Sequence, residues 1–257
     1  MTTEVAPTNA EQHTPTAEAR RDERPYFDHP QMSAPTYEYV CWIDVMGSQS
    51  LMLRSLNIAS ICLMKLHVAA LRASQNFPAV ELYPVIDGVY VCSPSQSPLL
   101  NFVNRVNSSL AVTFILETNP IHRFEIRSGL AYGPIVKGKG ALECADELHD
   151  NPEHTSKILL GGPLTQAYQI ERQSAPFGVA LHESARAFAP TGDLPMSGTY
   201  WQWWKSHCRT GDNTLASELS NSLQAHYEYC LKHTVLLSYD KLDIERHKLL
   251  AEEYFSE

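Results

Sequence analysis

The chain has 257 residues, of which 44% are hydrophobic and 19% charged, and its formal net charge is −9. This composition is that of an ordinary globular protein with enough apolar residues for a sizeable core. The acidic balance argues against non-specific binding to nucleic acid, and we expect neither a signal peptide nor a membrane span. The six cysteines form no CxxC pair, so we expect reduced thiols in a cytoplasmic protein.

Residues 1–35 are rich in Pro, Thr, Glu and Ala, a composition that predicts a disordered or loosely docked tail. The apolar run 39–45 then predicts a strand buried on both faces, interrupted only by Asp44. An isolated buried carboxylate is costly, so Asp44 either caps the following helix or holds a cation. The small polar loop after it offers backbone N–H groups to a phosphate.

A second carboxylate belongs to a predicted hairpin. The apolar runs 82–86 and 89–92 flank Asp87-Gly88, and Asp-Gly in that position is a strong hairpin signal. If the hairpin lies beside the first strand, Asp44 and Asp87 meet at one end of the sheet. Such oxygen ligands favour Mg²⁺ or Mn²⁺ over zinc. The alternative is that Asp87 serves only the turn.

The rest of the chain alternates helices and short strands. A Gly133-Pro134 turn is expected to split one strand pair, and Pro163 is expected in the first turn of a helix. The order predicts an α+β fold, a ferredoxin-like, mainly antiparallel sheet with helices packed on one face. Predicted helices cover residues 51–74, 95–118, 163–172, 182–188, 215–233 and 241–254, and predicted strands cover 80–93, 124–132, 135–138 and 177–181.

Four segments together resemble the catalytic domain of class III nucleotide cyclases. They read DVMGS, VIDGVYV, RSGLAYGPI and GGPLTQAYQIE, at 44–48, 85–91, 127–135 and 161–171. The family pattern has a strand ending in Asp, an Asp at a hairpin tip, a strand reading R-x-G and a glycine-led helix, in this order. The resemblance implies a cyclase catalytic domain at residues 36–190. Residues 191–257 then form a helical C-terminal extension packed on the domain or the dimer.

The resemblance also implies the chemistry. Asp44 and Asp87, with the backbone carbonyl of Val45, would hold two Mn²⁺ or Mg²⁺ ions, and the ribose 3′-hydroxyl would attack the α-phosphate of a nucleoside triphosphate. The amides that bind the phosphates would be those of Met46, Gly47 and Ser48. Family members form homodimers with active sites shared between the subunits, so we expect a homodimer here.

Departures from the family pattern point to the substrate. Tyr83 stands where adenylyl cyclases have a base-reading Lys, and Ile158 aligns with their base-reading Asp. This chain therefore looks most like the pyrimidine cyclases of bacterial Pycsar anti-phage systems. Uridylate cyclase, making cyclic UMP from UTP, is favoured, and cytidylate cyclase is the alternative. An effector would be linked to this chain only through the cyclic nucleotide.

The residues that act on the transition state in the family are also replaced, by Thr165 and Gln169. Among the available cations Arg172 is the preferred substitute, and the others are Arg54, Arg127 and Lys157. The same losses favour a catalytically inactive nucleotide sensor as the alternative of another class. A diguanylate cyclase or polymerase palm is disfavoured, because its hairpin would read GG(D/E)EF.

Overall fold

The computed structural model describes residues 26–207, 214–237 and 239–256. Within these ranges one six-stranded sheet carries helices on both of its faces. The strands are β1 Thr36–Val45, β2 Glu81–Val85, β3 Gly88–Ser93, β4 Ile126–Lys137, β5 Leu159–Gly161 and β6 Val179–Leu181. The helices are α1 Ser48–Arg54, α2 Leu56–Ser74, α3 Gln96–Leu116, α4 Asp146–Asp150, α5 Pro152–Thr155, α6 Gly162–Glu171, α7 Glu183–Ala187, α8 Thr214–Lys232, α9 Thr234–Leu237 and α10 Lys241–Phe255.

The strand order is β2-β3-β1-β4-β5, with β6 beside the first half of β4. All neighbouring pairs are antiparallel except β4 and β6, which confirms the predicted α+β architecture with a mainly antiparallel sheet. β1 is central and is paired along most of its length on both edges. Its C-terminal end therefore has a fixed neighbour on each side, and the candidate site lies there.

The two faces of the sheet are covered differently. On one face alternate residues of β1, including Cys41 and Ile43, form the main core with α2, α3 and α8. On the other face Val40 and Trp42 pack with Ala167 of α6. The prediction that the helices lie on one face is therefore wrong for α6. Gly129 of β4 explains this packing, because a Cβ there would lie 2.7 Å from the Glu171 nitrogen and closer still to the Ala167 carbonyl oxygen.

Two local predictions also need correction. The helix expected at 51–74 is interrupted at Ser55, whose hydroxyl oxygen caps α2 by accepting the Ile58 N–H. The turn expected at Gly133-Pro134 is absent, and β4 runs through both residues while paired with β1. Pro134 is tolerated because β5 begins to pair with β4 only at Ile135, so on that edge its missing N–H breaks no ladder bond.

The segment before β1 lies against the residues that follow β4. Most of the predicted N-terminal tail, residues 1–25, lies outside the described residues. The described part of this tail is held by two backbone hydrogen bonds. The Asp28 N–H donates to the Cys144 carbonyl at 2.7 Å, and the Ser33 N–H donates to the Gly140 carbonyl at 2.8 Å. The described cysteines, at 41, 62, 92, 144 and 230, are buried and unpaired.

Helices α2 and α3 are long and apolar enough to span a bilayer by length and composition alone. Both place one face in the core of the domain, where Cys62 and Leu66 of α2 and Leu99 and Phe102 of α3 are buried. Core helices of globular domains commonly meet the same criteria, so this property is weak evidence for a membrane.

The C-terminal helices pack on the sheet domain through a buried polar contact. Tyr227 of α8 donates its hydroxyl to Glu125 at 2.9 Å, and both side chains are buried. Burial raises the pKa of Glu125 to about 7. It lowers the pKa of the neighbouring His226 to about 4, with help from Arg123.

Replacing Glu125 by Gln tests this burial through the pH dependence of stability. The raised pKa means that the folded state binds more protons than the unfolded state between about pH 4.5 and 7, so this group makes stability fall as the pH rises through that window. We expect the Gln variant to gain up to about 3 kcal/mol relative to wild type by pH 8. Urea unfolding at several pH values measures the difference, and a difference that stays constant with pH would contradict the assignment.

Candidate active site

The site is built around Asp44 at the C-terminal end of β1. Asp44 pairs with Gly88 of β3 on one side and with Arg127 of β4 on the other. Its side chain lies on the α6 face, together with Trp42, because alternate residues of a strand share a face. The central position of β1 thus places this carboxylate between the hairpin that carries Asp87 and the strand that carries Arg127.

The predicted hairpin is present, with its turn one residue earlier than expected. Val85 pairs with Gly88, so the loop consists of Ile86 and Asp87. The register is fixed at Gly88, where a Cβ would lie 2.5 Å from the Ile43 carbonyl oxygen and 2.6 Å from the Trp42 ring. Ile86 takes up the turn with a φ of 39° and is exposed. Asp87 therefore stands at the tip, next to Asp44, and accepts a hydrogen bond from the Ser48 hydroxyl.

A third carboxylate joins the two predicted ones. Glu171, at the end of α6, is 1% exposed and forms an ion pair with Arg127. Burial, followed by Glu171 and Asp87, raises the pKa of Asp44 well above its usual range, although Arg127 opposes the shift. Burial also raises the pKa of Glu171, although its ion pair with Arg127 opposes the shift, and the Asp44 and Glu171 carboxyl groups interact by a hydrogen bond.

This donor set fits a divalent cation. Asp44 and Asp87 are adjacent carboxyl groups, and Arg127, the nearby cation, already pairs with Glu171. Hard oxygen donors of this kind suit Mg²⁺ or Mn²⁺, and a bound cation would stabilise the ionised form of Asp44. In the described parts of the chain no group of three or more His, Cys, Asp or Glu side chains is arranged to hold a metal, so backbone oxygens or a substrate must complete the coordination.

The loop after β1 leaves only some of the predicted phosphate-binding amides without a hydrogen-bond partner among the described residues. The Met46 N–H donates to the Glu125 carbonyl at 2.9 Å, so this amide is already used. Gly47 has a φ of 67°, a left-handed conformation that favours glycine, and α1 begins directly after it. The N–H groups of the first helical turn have no partner within the helix, so those that follow Gly47, starting with Ser48, are available to an anion.

At the other end of the α6 face lies a partly buried charged network. Tyr83 is 6% exposed and donates its hydroxyl to Glu81 at 2.7 Å. Lys137 of β4 contacts Glu38 at 2.7 Å and Glu81 at 3.5 Å. Since β3 and β1 lie between β2 and β4, the Lys137–Glu81 contact shows that the sheet is strongly curled. Glu38 is 3% exposed, and its second oxygen has no partner among the described residues.

The remaining predicted site residues lie on the surface of α6 or near it. Arg172, the preferred transition-state cation, follows α6 and donates to the Tyr168 hydroxyl at 3.1 Å. Thr165 and Gln169 are exposed on α6, and Ile158 is 40% exposed just before β5. Arg172 acts on Asp44 and Glu171 only through longer-range electrostatics.

Arg127 and Glu171 are closer to Asp44 than the preferred cation Arg172. Arg127 was among the alternatives, whereas no role was predicted for Glu171. A signal for Glu171 exists in the sequence, because Ala167 and Glu171 are four residues apart and so share the buried face of α6. A Glu on an apolar helix face beside a predicted carboxylate site indicates a buried acidic cluster.

No protein-family model matches the chain, and no curated protein sequence matches it. Solved structures of cyclase catalytic domains do match. The guanylyl cyclase domain of the RhoGC fusion protein from Blastocladiella emersonii is 15% identical, with 60% of this chain and 84% of that one covered and a TM-score of 0.44. An adenylate/guanylate cyclase/hydrolase from Silicibacter pomeroyi is 13% identical, with 65% and 93% covered and a TM-score of 0.45.

A third match is the guanylate cyclase domain of RhGC from Catenaria anguillulae in complex with GTP. It is 17% identical, with 58% of this chain and 79% of that chain covered and a TM-score of 0.43. The matching domains are of the predicted fold class. Similarities at this level concern the fold alone.

Proposed function

We propose that this chain is a nucleotide cyclase that converts UTP to 3′,5′-cyclic UMP and pyrophosphate. The observation that carries the proposal is the meeting of Asp44 and Asp87 at one end of the sheet, beside the loop that begins α1. Two carboxyl groups held together in a partly buried position, where burial and neighbouring acids raise the pKa of Asp44, suit divalent metal binding. In this account CTP is the alternative substrate.

The roles of the side chains follow from the geometry. Asp44 and Asp87, with the Val45 carbonyl, would hold Mn²⁺ or Mg²⁺, which when bound activates the ribose 3′-hydroxyl and offsets charge on the triphosphate. Ser48 fixes the Asp87 carboxylate, and Glu171 holds the Arg127 guanidinium beside Asp44. Arg127 is thereby positioned to stabilise negative charge that develops on the phosphates, a role for which Arg172 is the more distant candidate.

The network around Tyr83 is the proposed site for the base. The unpaired Glu38 oxygen is an acceptor for the N3–H of uracil, and the Lys137 ammonium is a donor for a ring carbonyl. The Tyr83 ring lies on the face of the sheet that α6 covers, as Glu38 does. The space that the ring fills favours a pyrimidine over the larger purines. The supporting observation is the orphan oxygen of Glu38, since a buried acceptor without a partner costs free energy unless a ligand fills it.

The same geometry supports the expected homodimer. Glu38 and Asp44 are six residues apart on one face of β1, which separates them by about 20 Å along the strand. That distance is longer than the span from the reacting phosphate to the base in one nucleotide. The proposed base site of one subunit would therefore complete the metal site of its partner.

Substitution of Tyr83 tests the proposed base site. Tyr83→Val keeps a β-favouring residue but removes the ring, so we expect turnover of ATP or GTP to rise roughly tenfold relative to UTP. The control is Tyr83→Phe, which removes only the hydroxyl that donates to Glu81 and keeps the ring. Rates with each nucleotide measure the preference, and unchanged ratios in the Val variant would remove Tyr83 from base selection.

The biological setting is part of the proposal. Cyclic UMP would serve as a second messenger in anti-phage defence in the cytoplasm, and an effector would meet the product rather than this chain. Its support is the departure of Tyr83 and Ile158 from the adenylyl cyclase pattern.

The second candidate is a catalytically inactive nucleotide sensor. The replacement of the family's transition-state residues by Thr165 and Gln169, both exposed on α6, favours it. Pyrophosphate release from UTP with Mn²⁺ separates the two functions. Release at a rate proportional to enzyme concentration supports the cyclase, whereas tight UTP binding without release supports the sensor.

A further inference from the structure

A cavity of about 400 Å³ borders the loop that follows β1. One wall is that loop, through Met46 and Gly47, and the opposite wall is the C-terminal extension, through Arg246 and His247 of α10. Neither Asp44 nor Asp87 lines it. The cavity is therefore a space between the sheet domain and the C-terminal helices, separate from Asp44 and Asp87 but sharing the loop and Arg127 with the carboxylate cluster.

Four guanidinium groups and three carboxyl groups line this cavity. Arg54, Arg123, Arg127 and Arg246 line it in a chain whose net charge is −9, together with the carboxyl groups of Glu125, Asp240 and Asp243. Across the described ranges, Arg123 and Arg246 have no carboxylate within ion-pair distance. The Arg123 Nε–H instead donates to the Glu117 carbonyl, and the Arg246 guanidinium contacts the His247 ring at 3.3 Å.

Two buried polar atoms in the cavity wall lack partners. Glu125 is 5% exposed and His226 is 6% exposed. One carboxyl oxygen of Glu125 and the Nδ1 atom of His226 have no hydrogen-bond partner among the described residues. Both atoms are inaccessible to solvent, so the unpaired positions lie within the wall and not on the surface that an occupant would contact.

We propose that this cavity binds a phosphorylated small molecule, with Arg123 and Arg246 gripping its phosphate oxygens. The planar guanidinium fork matches phosphate geometry, and neither group is neutralised by an ion pair. A volume of about 400 Å³ is within the range of small-molecule sites. Because Arg246 belongs to α10, an occupant would tie the C-terminal extension to the loop of the candidate active site.

Two kinds of ligand carry a phosphate group that would suit this cavity. The ligand is either the polyphosphate end of the substrate, passing the Met46–Gly47 wall, or a separate phosphorylated effector. The first source rests on the proposed cyclase function, and the second does not. In both cases the C-terminal extension takes part in ligand binding and is more than a structural support.

Calorimetric binding of inorganic triphosphate by the 257-residue chain tests the cavity. EDTA in the buffer keeps the proposed metal sites at Asp44 and Asp87 empty, so they do not contribute to the binding. We expect saturable binding by wild type and a Kd roughly tenfold weaker for Arg246→Ala, whose side chain is exposed enough to remove without unfolding. Arg105→Ala, an exposed change on α3 outside the cavity, is the matched control and should bind as wild type does. No binding by wild type, or equal Kd values for the two variants, would overturn the proposal.

A competition experiment then identifies the source. With Mn²⁺ present, 3′-deoxy-UTP cannot be cyclised. If it displaces triphosphate, the cavity holds the substrate phosphates; if both bind together, the cavity holds a separate effector. A chain that cyclises no nucleotide but binds triphosphate through Arg246 retains the cavity and loses the proposed function.

Discussion

Asp44→Asn and Asp87→Asn should each reduce cyclic nucleotide formation by roughly a thousandfold, the order expected when a metal that supplies several kcal/mol of transition-state stabilisation is lost. An amide has nearly the shape of a carboxyl group but binds a divalent cation poorly. The Asp44 variant should fold normally, because burial and the neighbouring acids already disfavour the charged form of Asp44. Initial rates of product formation at saturating UTP and Mn²⁺ measure the effect.

The matched control is Asp193→Asn, an exposed aspartate outside the site, which should leave the rate unchanged. Thermal unfolding of all three variants separates loss of chemistry from loss of fold. Retained activity in both site variants, with wild-type stability, would exclude Asp44 and Asp87 as metal ligands.

Gly129→Ala should be the most destabilising single methyl addition near the site. A Cβ at this position meets the backbone of α6 at the Ala167 carbonyl oxygen and the Glu171 nitrogen. Backbone cannot rotate away as a flexible side chain can, so α6 must move off β4, at a cost of about 1–3 kcal/mol. Because Glu171 moves with α6, its contacts with Arg127 and Asp44 weaken, and we expect activity to fall as well.

The control for this change is Gly162→Ala, at the first residue of α6, where a Cβ meets no atom within 4 Å. Its effect on stability should be well below 1 kcal/mol. Denaturant unfolding at constant pH compares the two, and equal stabilities would mean that α6 does not depend on close approach to Gly129.

The central pair of the site was predictable because its signals are local. An acid that ends an apolar strand and an Asp-Gly between two apolar runs fix Asp44 and Asp87 at element ends, and strand pairing does the rest. The helix that begins near Pro163 was predictable for the same reason. These features depend on a few neighbouring residues.

What the sequence did not predict depends on packing between distant segments. The turn at Ile86 is set by Gly88 beneath Trp42, a contact between two strands that no local pattern shows. Glu171 becomes part of the site only because α6 lies on the face opposite α2 and α3. Met46 loses its free amide to the Glu125 carbonyl, and the pairing of Lys137 with Glu81 requires a curled sheet.

A product assay decides whether the chain is a pyrimidine cyclase: the protein is incubated with Mn²⁺ and an equimolar mixture of all four ribonucleoside triphosphates, and the products are identified by mass. We expect cyclic UMP as the main product, with cyclic CMP second, and no product from the Asp44→Asn variant. A cyclic purine as the main product would contradict the proposed base site at Tyr83 and Glu38. No cyclic product from any nucleotide would contradict the cyclase itself and leave the nucleotide sensor as the function.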